Sequence, residues 1–115
     1  MFGMKDSESA NPFSSSATTL IAEGTEVEGD LNFKGNLEIQ GSVTGNILSD
    51  DEGARVRILQ GGSIQGEVWV SHVVVNGNVK GDIFASKQVK LASKAVVEGN
   101  IHYNLIEIER ALKDA

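Results

Sequence analysis

Gly41–Ile47 (GSVTGNI), Gly62–Val68 (GSIQGEV) and Gly77–Ile83 (GNVKGDI) are one phrase written three times. Looser copies stand at Thr25–Leu31 (TEVEGDL) and Ala95–Ile101 (AVVEGNI). The central aliphatics are Val27, Val43, Ile64, Val79 and Val97, spaced by 16, 21, 15 and 18 residues. Self-similarity at such a period means one unit stacked on itself. Between the phrases, apolar and polar residues alternate, which is the pattern of short strands with one inner face.

Aligning the chain on its glycines puts four further sets of residues in register. They are Leu31, Ile47, Val68, Ile83 and Ile101; Phe33, Ser49, Val70, Ala85 and Tyr103; Leu37, Val56, Val73, Val89 and Ile106; and Ile39, Ile58, Val75, Leu91 and Ile108. Each repeat therefore holds three short strands joined by tight corners, and glycine suits such corners because it accepts positive φ. One turn of 15 to 18 residues cannot bury its inner face alone, so the turns must coil and stack about 4.8 Å apart. The expected fold is all-β, a single-domain parallel β-helix of about five to six rungs. Right-handed winding is expected, because parallel crossovers favour it and the irregular spacings depart from the strict hexads of left-handed helices. Ser49–Ala54 (SDDEGA) accounts for the longest spacing and is expected to bulge into solvent as a corner loop.

Composition agrees with one small core: 115 residues, 40% hydrophobic but only 5% aromatic, with a single proline. The absence of cysteine excludes disulfides and thiolate metal sites. A formal charge of −6 argues against nucleic acid, whose phosphates need a basic surface. No stretch reads as a membrane span or a secretory apolar region.

Residues 1–18 stand outside the repeat. Ser7–Thr18 (SESANPFSSSAT) is small and polar and is expected to be a disordered tail. Its tip, Met1-Phe2-Gly3-Met4-Lys5, is apolar and ends in a cation, which suits contact with a lipid interface through Met1, Phe2, Met4 and Lys5. One copy would bind weakly, and many copies on a polymer would bind well through effective concentration. Phe2 excludes N-myristoylation, which needs glycine there.

With these residues in view, Leu20–Ile47 and the later run GEVWVSHVVVNGNVKGDIFASKQVKLASKAVVEGNIHYNLIEIE resemble the bactofilin family. The resemblance spans Thr19 to Glu109 and sets the expected β-helix domain at 19–109. It implies a right-handed β-helix that polymerises without nucleotide into filaments. Such filaments scaffold cell-envelope and cell-shape machinery at the cytoplasmic side of the bacterial inner membrane. It further implies membrane targeting by an N-terminal apolar-plus-Lys segment such as Met1–Lys5, with cell-wall peptidases or synthases as partners. At the C-terminus the sequence departs from the family, which usually continues with further rungs. Here Arg110–Ala115 (RALKDA) reads as a short tail or a cap over the last turn.

Physics gives a separate reason for end-to-end assembly, since each end of a β-helix exposes unpaired backbone above an apolar cross-section. The expected end residues are Leu20, Ile21 and Val27 at one end and Ile101, Tyr103, Ile106 and Ile108 at the other. A second expected surface lies on the side, where the outward positions Asn32, Leu48, Trp69, Phe84 and His102 fall in one column. Leu48, Trp69 and Phe84, with Val74 in another outward column, are read as a lateral or partner-binding stripe.

Catalytic chemistry finds little support. His72 and His102 fall in different columns without a triad or metal spacing, and the glycines are corners rather than nucleotide cradles. Asp50-Asp51-Glu52 lacks the spaced oxygen ligands of a calcium loop and reads as a solvated corner. No catalytic residue, cofactor or metal is therefore expected. Three alternatives remain at this stage. A monomeric β-helix binding module would use the Leu48/Trp69/Phe84 stripe. A hexapeptide-repeat acyltransferase would need strict hexads and a catalytic histidine. A β-helix acting on carbohydrate would need a long groove and a secretion signal.

Overall fold

The computed structural model describes residues 17–109, and within them each turn contributes a three-residue, a two-residue and a four-residue strand. Like strands pair with like, in parallel, one turn apart, so the chain winds into a three-sided solenoid of about five turns. The wide sheet holds Thr18–Ile21, Asn36–Ile39, Arg55–Ile58, His72–Val75, Gln88–Leu91 and Leu105–Ile108. The middle sheet holds Glu26–Glu28, Ser42–Thr44, Ser63–Gln65, Asn78–Lys80 and Val96–Glu98. Leu31–Asn32, Ile47–Leu48, Val68–Trp69, Ile83–Phe84 and Ile101–His102 form the narrow sheet.

The register is the one that glycine alignment predicts. Leu37 pairs with Val56, Val56 with Val73, Val73 with Val89 and Val89 with Ile106. Val27, Val43, Ile64, Val79 and Val97 form one ladder, and Leu31, Ile47, Val68, Ile83 and Ile101 another. Strand alternation sends these residues inward, and Val43, Ile58, Val68, Val75 and Ile83 are at most 1% exposed. Burying such a side chain is worth about 1.5–3 kcal/mol, and the core is made almost wholly of Val, Ile and Leu.

The corners are as regular as the core. Gly29, Gly45, Gly66, Gly81 and Gly99 all have positive φ, between 121° and 150°. The polar residue after each glycine has its own ladder. The Asn46 amide donates to Asp30 Oδ1 (3.0 Å), the Glu67 amide to Asn46 Oδ1 (2.9 Å) and the Asn100 amide to Asp82 Oδ1 (2.9 Å). An Asp or Asn oxygen thus satisfies a backbone donor of the next turn at the bend, where strand pairing lapses.

The long spacing does bulge outward, with Asp50, Glu52 and Gly53 exposed, and it is anchored as well. Ser49–Ala54 turns at Glu52–Gly53, and Ala54 is fully buried. Asp51 Oδ1 accepts the Gly53 amide (3.0 Å), its Oδ2 accepts the Gly35 amide (3.2 Å), and Ser71 Oγ donates to the Asp51 carbonyl (3.3 Å). The Gly53 amide first, then that of Gly35, holds the Asp51 carboxyl below its ordinary pKa, with a smaller contribution from Lys34. A carboxyl depressed in the folded state contributes stability above its unfolded pKa and loses it as pH falls through the folded value. Asp51→Asn should therefore flatten the acid limb of the melting temperature against pH. Superimposable acid limbs for the two proteins would refute this role of the carboxylate.

Candidate functional site

The solenoid has two kinds of surface that could act on another molecule, its open ends and its narrow side. At the ends, the strand edges carry backbone groups with a partner on one side only among the described residues. The inward ladders run out there while remaining apolar. In one ladder Ile39, Ile58 and Val75 are fully buried, Leu91 is half-buried, and Ile108 on the last turn is 65% exposed. On the same last turn Tyr103 is exposed, and Ile101 and Ile106 are half-buried. At the first turn Val27, Leu31 and Phe33 are half-buried.

Two of the expected end residues, Leu20 and Ile21, lie on the edge strand of the wide sheet but present little apolar surface to an incoming end. Ile21 is 7% exposed and belongs to the core, in register with Ile39. Leu20 is exposed but outward, on the face of the wide sheet next to Glu38. The reason is the period of two along Thr18–Ile21, which turns Thr19 and Ile21 inward and Leu20 out. Extending the glycine alignment one turn upstream would have found this. Leu105 and Val96, both outward on the last turn and exposed, were not singled out by sequence.

On the narrow side the outward column is a stack. The rings of Trp69 and Phe84 lie 3.9 Å apart at 14°, and those of Phe84 and His102 4.6 Å apart at 3°. Leu48 is half-buried next to Trp69, and Trp69 Nε1 donates to Glu67 Oε1 (2.9 Å). Ring faces are spent on one another, so the stack offers mainly ring edges to a partner. Shallow hollows flank Trp69, one reaching Asn32 and Leu48, another Tyr103. Val74 does not join this stripe. It lies on the wide sheet, half-buried, with Arg57 and Lys90 as its register neighbours.

The polar candidates do not converge. Asp50 pairs with Lys34 (3.6 Å), Glu52 with Lys87 (3.8 Å), and Asp51 is occupied by backbone amides. Among the described residues no group of three His, Cys, Asp or Glu side chains could hold a metal ion. His72 is on the wide sheet and His102 on the narrow one. Met1, Phe2, Met4 and Lys5, and the segment Arg110–Ala115, lie outside the described residues. No described helix is long and apolar enough to cross a membrane.

No curated protein and no solved structure matches the chain in a direct search. Its sequence does match the profile of the bactofilins, described as polymer-forming cytoskeletal, over residues 19–113. That span takes in every turn of the solenoid, both of its ends and the aromatic stack. The chain belongs to the bactofilin family, whose members are polymer-forming cytoskeletal proteins.

Proposed function

We propose that this chain assembles end to end, without nucleotide, into filaments that lie at the cytoplasmic face of the inner membrane and scaffold envelope machinery there. The observation that carries the reading is the Ile39–Ile58–Val75–Leu91–Ile108 ladder. Ile39, Ile58 and Val75 are fully buried and Leu91 is half-buried, whereas Ile108 is 65% exposed, with no further turn over it among the described residues. A second copy docked on that end would supply the turn, covering the aliphatics and pairing the edge strands. Nucleotide independence is supported by the glycines, which among the described residues serve as corners, several stacked on one another, rather than as a phosphate cradle. Lipid contact is assigned to Met1, Phe2, Met4 and Lys5, whose apolar and cationic makeup suits an interface, and multiplicity along a filament would strengthen it. The Leu48/Trp69/Phe84 stripe is assigned to lateral contacts or to clients such as cell-wall peptidases or synthases.

Negative-stain electron microscopy without nucleotide, beside sedimentation over a concentration series, tests the assembly. Filaments and concentration-dependent mass are expected. Uniform particles that stay monomeric at every concentration would reject the polymer and favour a monomeric binding module. In the same assays Trp69→Ala should lose bundling or client binding while still forming single filaments. Unchanged bundling and client binding would remove the stripe from the account.

A further inference from the structure

The outward residues of the three sheets differ sharply in charge. On the middle sheet they include Glu26, Glu28 and Glu98 against the single cation Lys80. The narrow sheet's outward column carries no carboxylate, but Asp30, Glu67 and Asp82 line the corner beside it. On the wide sheet the three central turns present Arg55, Arg57 and Lys90, with His72, Val74 and Gln88 between them and no carboxylate. These six residues share a shallow groove of about 530 Å³, whose lining also takes in Glu107 and Glu109 of the last turn. Two carboxylates of this face, Glu38 and Glu107, sit one turn further out on either side, and Glu109 follows the last strand. Glu38 pairs with Arg57 (3.4 Å) and Glu107 accepts from Gln88 (3.1 Å). Arg55 and Lys90 have no carboxylate within ion-pair distance among the described residues. A chain of formal charge −6 thus gathers three of its cations on one side.

The wide sheet is also where the N-terminal segment joins the fold. Thr18–Ile21 is its edge strand, and the chain reaches it through Ala17. The sixteen residues before Ala17 span at most about 55 Å when extended. Their tip can therefore reach a surface lying against the wide sheet without crossing either acidic side.

From these two observations we infer that the wide sheet, through Arg55, Arg57 and Lys90, is the face the solenoid turns toward an anionic lipid surface. The inference rests on the membrane association proposed above and adds the orientation. A tether alone would leave the prism free to roll. Anionic head groups attract cations and repel carboxylates within about a Debye length of roughly 8 Å, so the middle and narrow sides are turned away. Cations on the body would add a second, electrostatic signal to a tip too small to anchor one copy.

The test exploits the composition of the chain. It has no cysteine and one tryptophan, so a fluorophore on Val74→Cys reports the wide side, one on Gln65→Cys the middle side, and Trp69 itself the narrow side. Full-length protein is mixed with vesicles of phosphatidylglycerol and phosphatidylcholine bearing a head-group quencher. The Val74 label should be quenched at least twofold more than the other two reporters. Equal quenching of all three, or strongest quenching at Gln65 or Trp69, would overturn the orientation while leaving membrane binding intact. The triple variant Arg55→Gln, Arg57→Gln, Lys90→Gln, checked for an unchanged melt, should bind these vesicles about a hundredfold less well. Unchanged affinity would equally overturn the role of the face. If the unaltered chain binds no vesicles at all, the membrane reading falls, and this inference with it.

Discussion

Gly66→Ala is expected to abolish the fold, although it adds one methyl group at a bend. A Cβ built on Gly66 lands on the carbonyl oxygen of Gly45, and 2.6 Å from its carbonyl carbon. Asn46 Oδ1, which holds the Glu67 amide, is only 3.2 Å away. The obstacle is backbone, so no rotamer change relieves it. Neither glycine can retreat without breaking pairing, since the Gly45 amide donates to the Gln65 carbonyl (2.8 Å) and the Gly66 amide to the Lys80 carbonyl (3.0 Å). The φ of +147° adds strain that only glycine escapes. Clash and strain together should exceed about 4 kcal/mol, a large part of the roughly 5–15 kcal/mol that holds a domain together. Circular dichroism melts should show no cooperative transition, or one far below the parent. Gly53→Ala is the control, because a Cβ there meets only Asp51 Oδ1 at an ordinary 3.7 Å. A Gly66→Ala protein that melted with the Gly53→Ala control would show that the corner ladder is not a close contact.

The same ladder explains what could be read from sequence and what could not. Strand alternation and the glycine phrase both repeat every turn, so each inward residue is predicted by its neighbours above and below. That redundancy fixed the registers from Leu31 to Ile106. It fails where a turn lacks a neighbour. Leu20 and Ile21 share one expected end set although alternation turns them to opposite faces, because no phrase precedes them and only the phrase that follows sets their phase. Ser49–Ala54 bulges into solvent as its length predicts, but its anchor is not legible, since that is a side chain reaching Gly35, sixteen residues away, and has no period. The aromatic stack was legible because its members share one column. The cationic side was not, as Arg55 and Arg57 lie on one strand and Lys90 two turns on, with a hydrophobic residue between. Charge gathered across turns becomes visible only once the turns are stacked.

Gly29→Ala should give the opposite result to Gly66→Ala from the same place in the phrase. Gly29 has the same kind of backbone, with φ +121°, but a Cβ built on it meets nothing within 4 Å among the described residues. At Gly45, Gly66, Gly81 and Gly99 the Cβ collides with the glycine carbonyl one turn toward the N-terminus. At Gly29 it therefore points off the first turn, into the surface where a second copy would dock. The variant should fold, losing about 1–3 kcal/mol to backbone strain, and keep its circular dichroism spectrum. If filaments grow by continuing the β ladder across that end, the new methyl group occupies the place of the incoming carbonyl, and long filaments should vanish. Sedimentation then discriminates two geometries of assembly. Particles that stop at dimers mean that like ends meet, with the last turns still docking through Ile108 and Tyr103. Monomers mean that first and last turns dock on each other, so that one blocked end stops growth. A folded Gly29→Ala protein forming filaments as long as the parent's would refute docking in strand register at the first turn. Assembly would then have to rest on side-chain burial at the ends without a continuous backbone ladder.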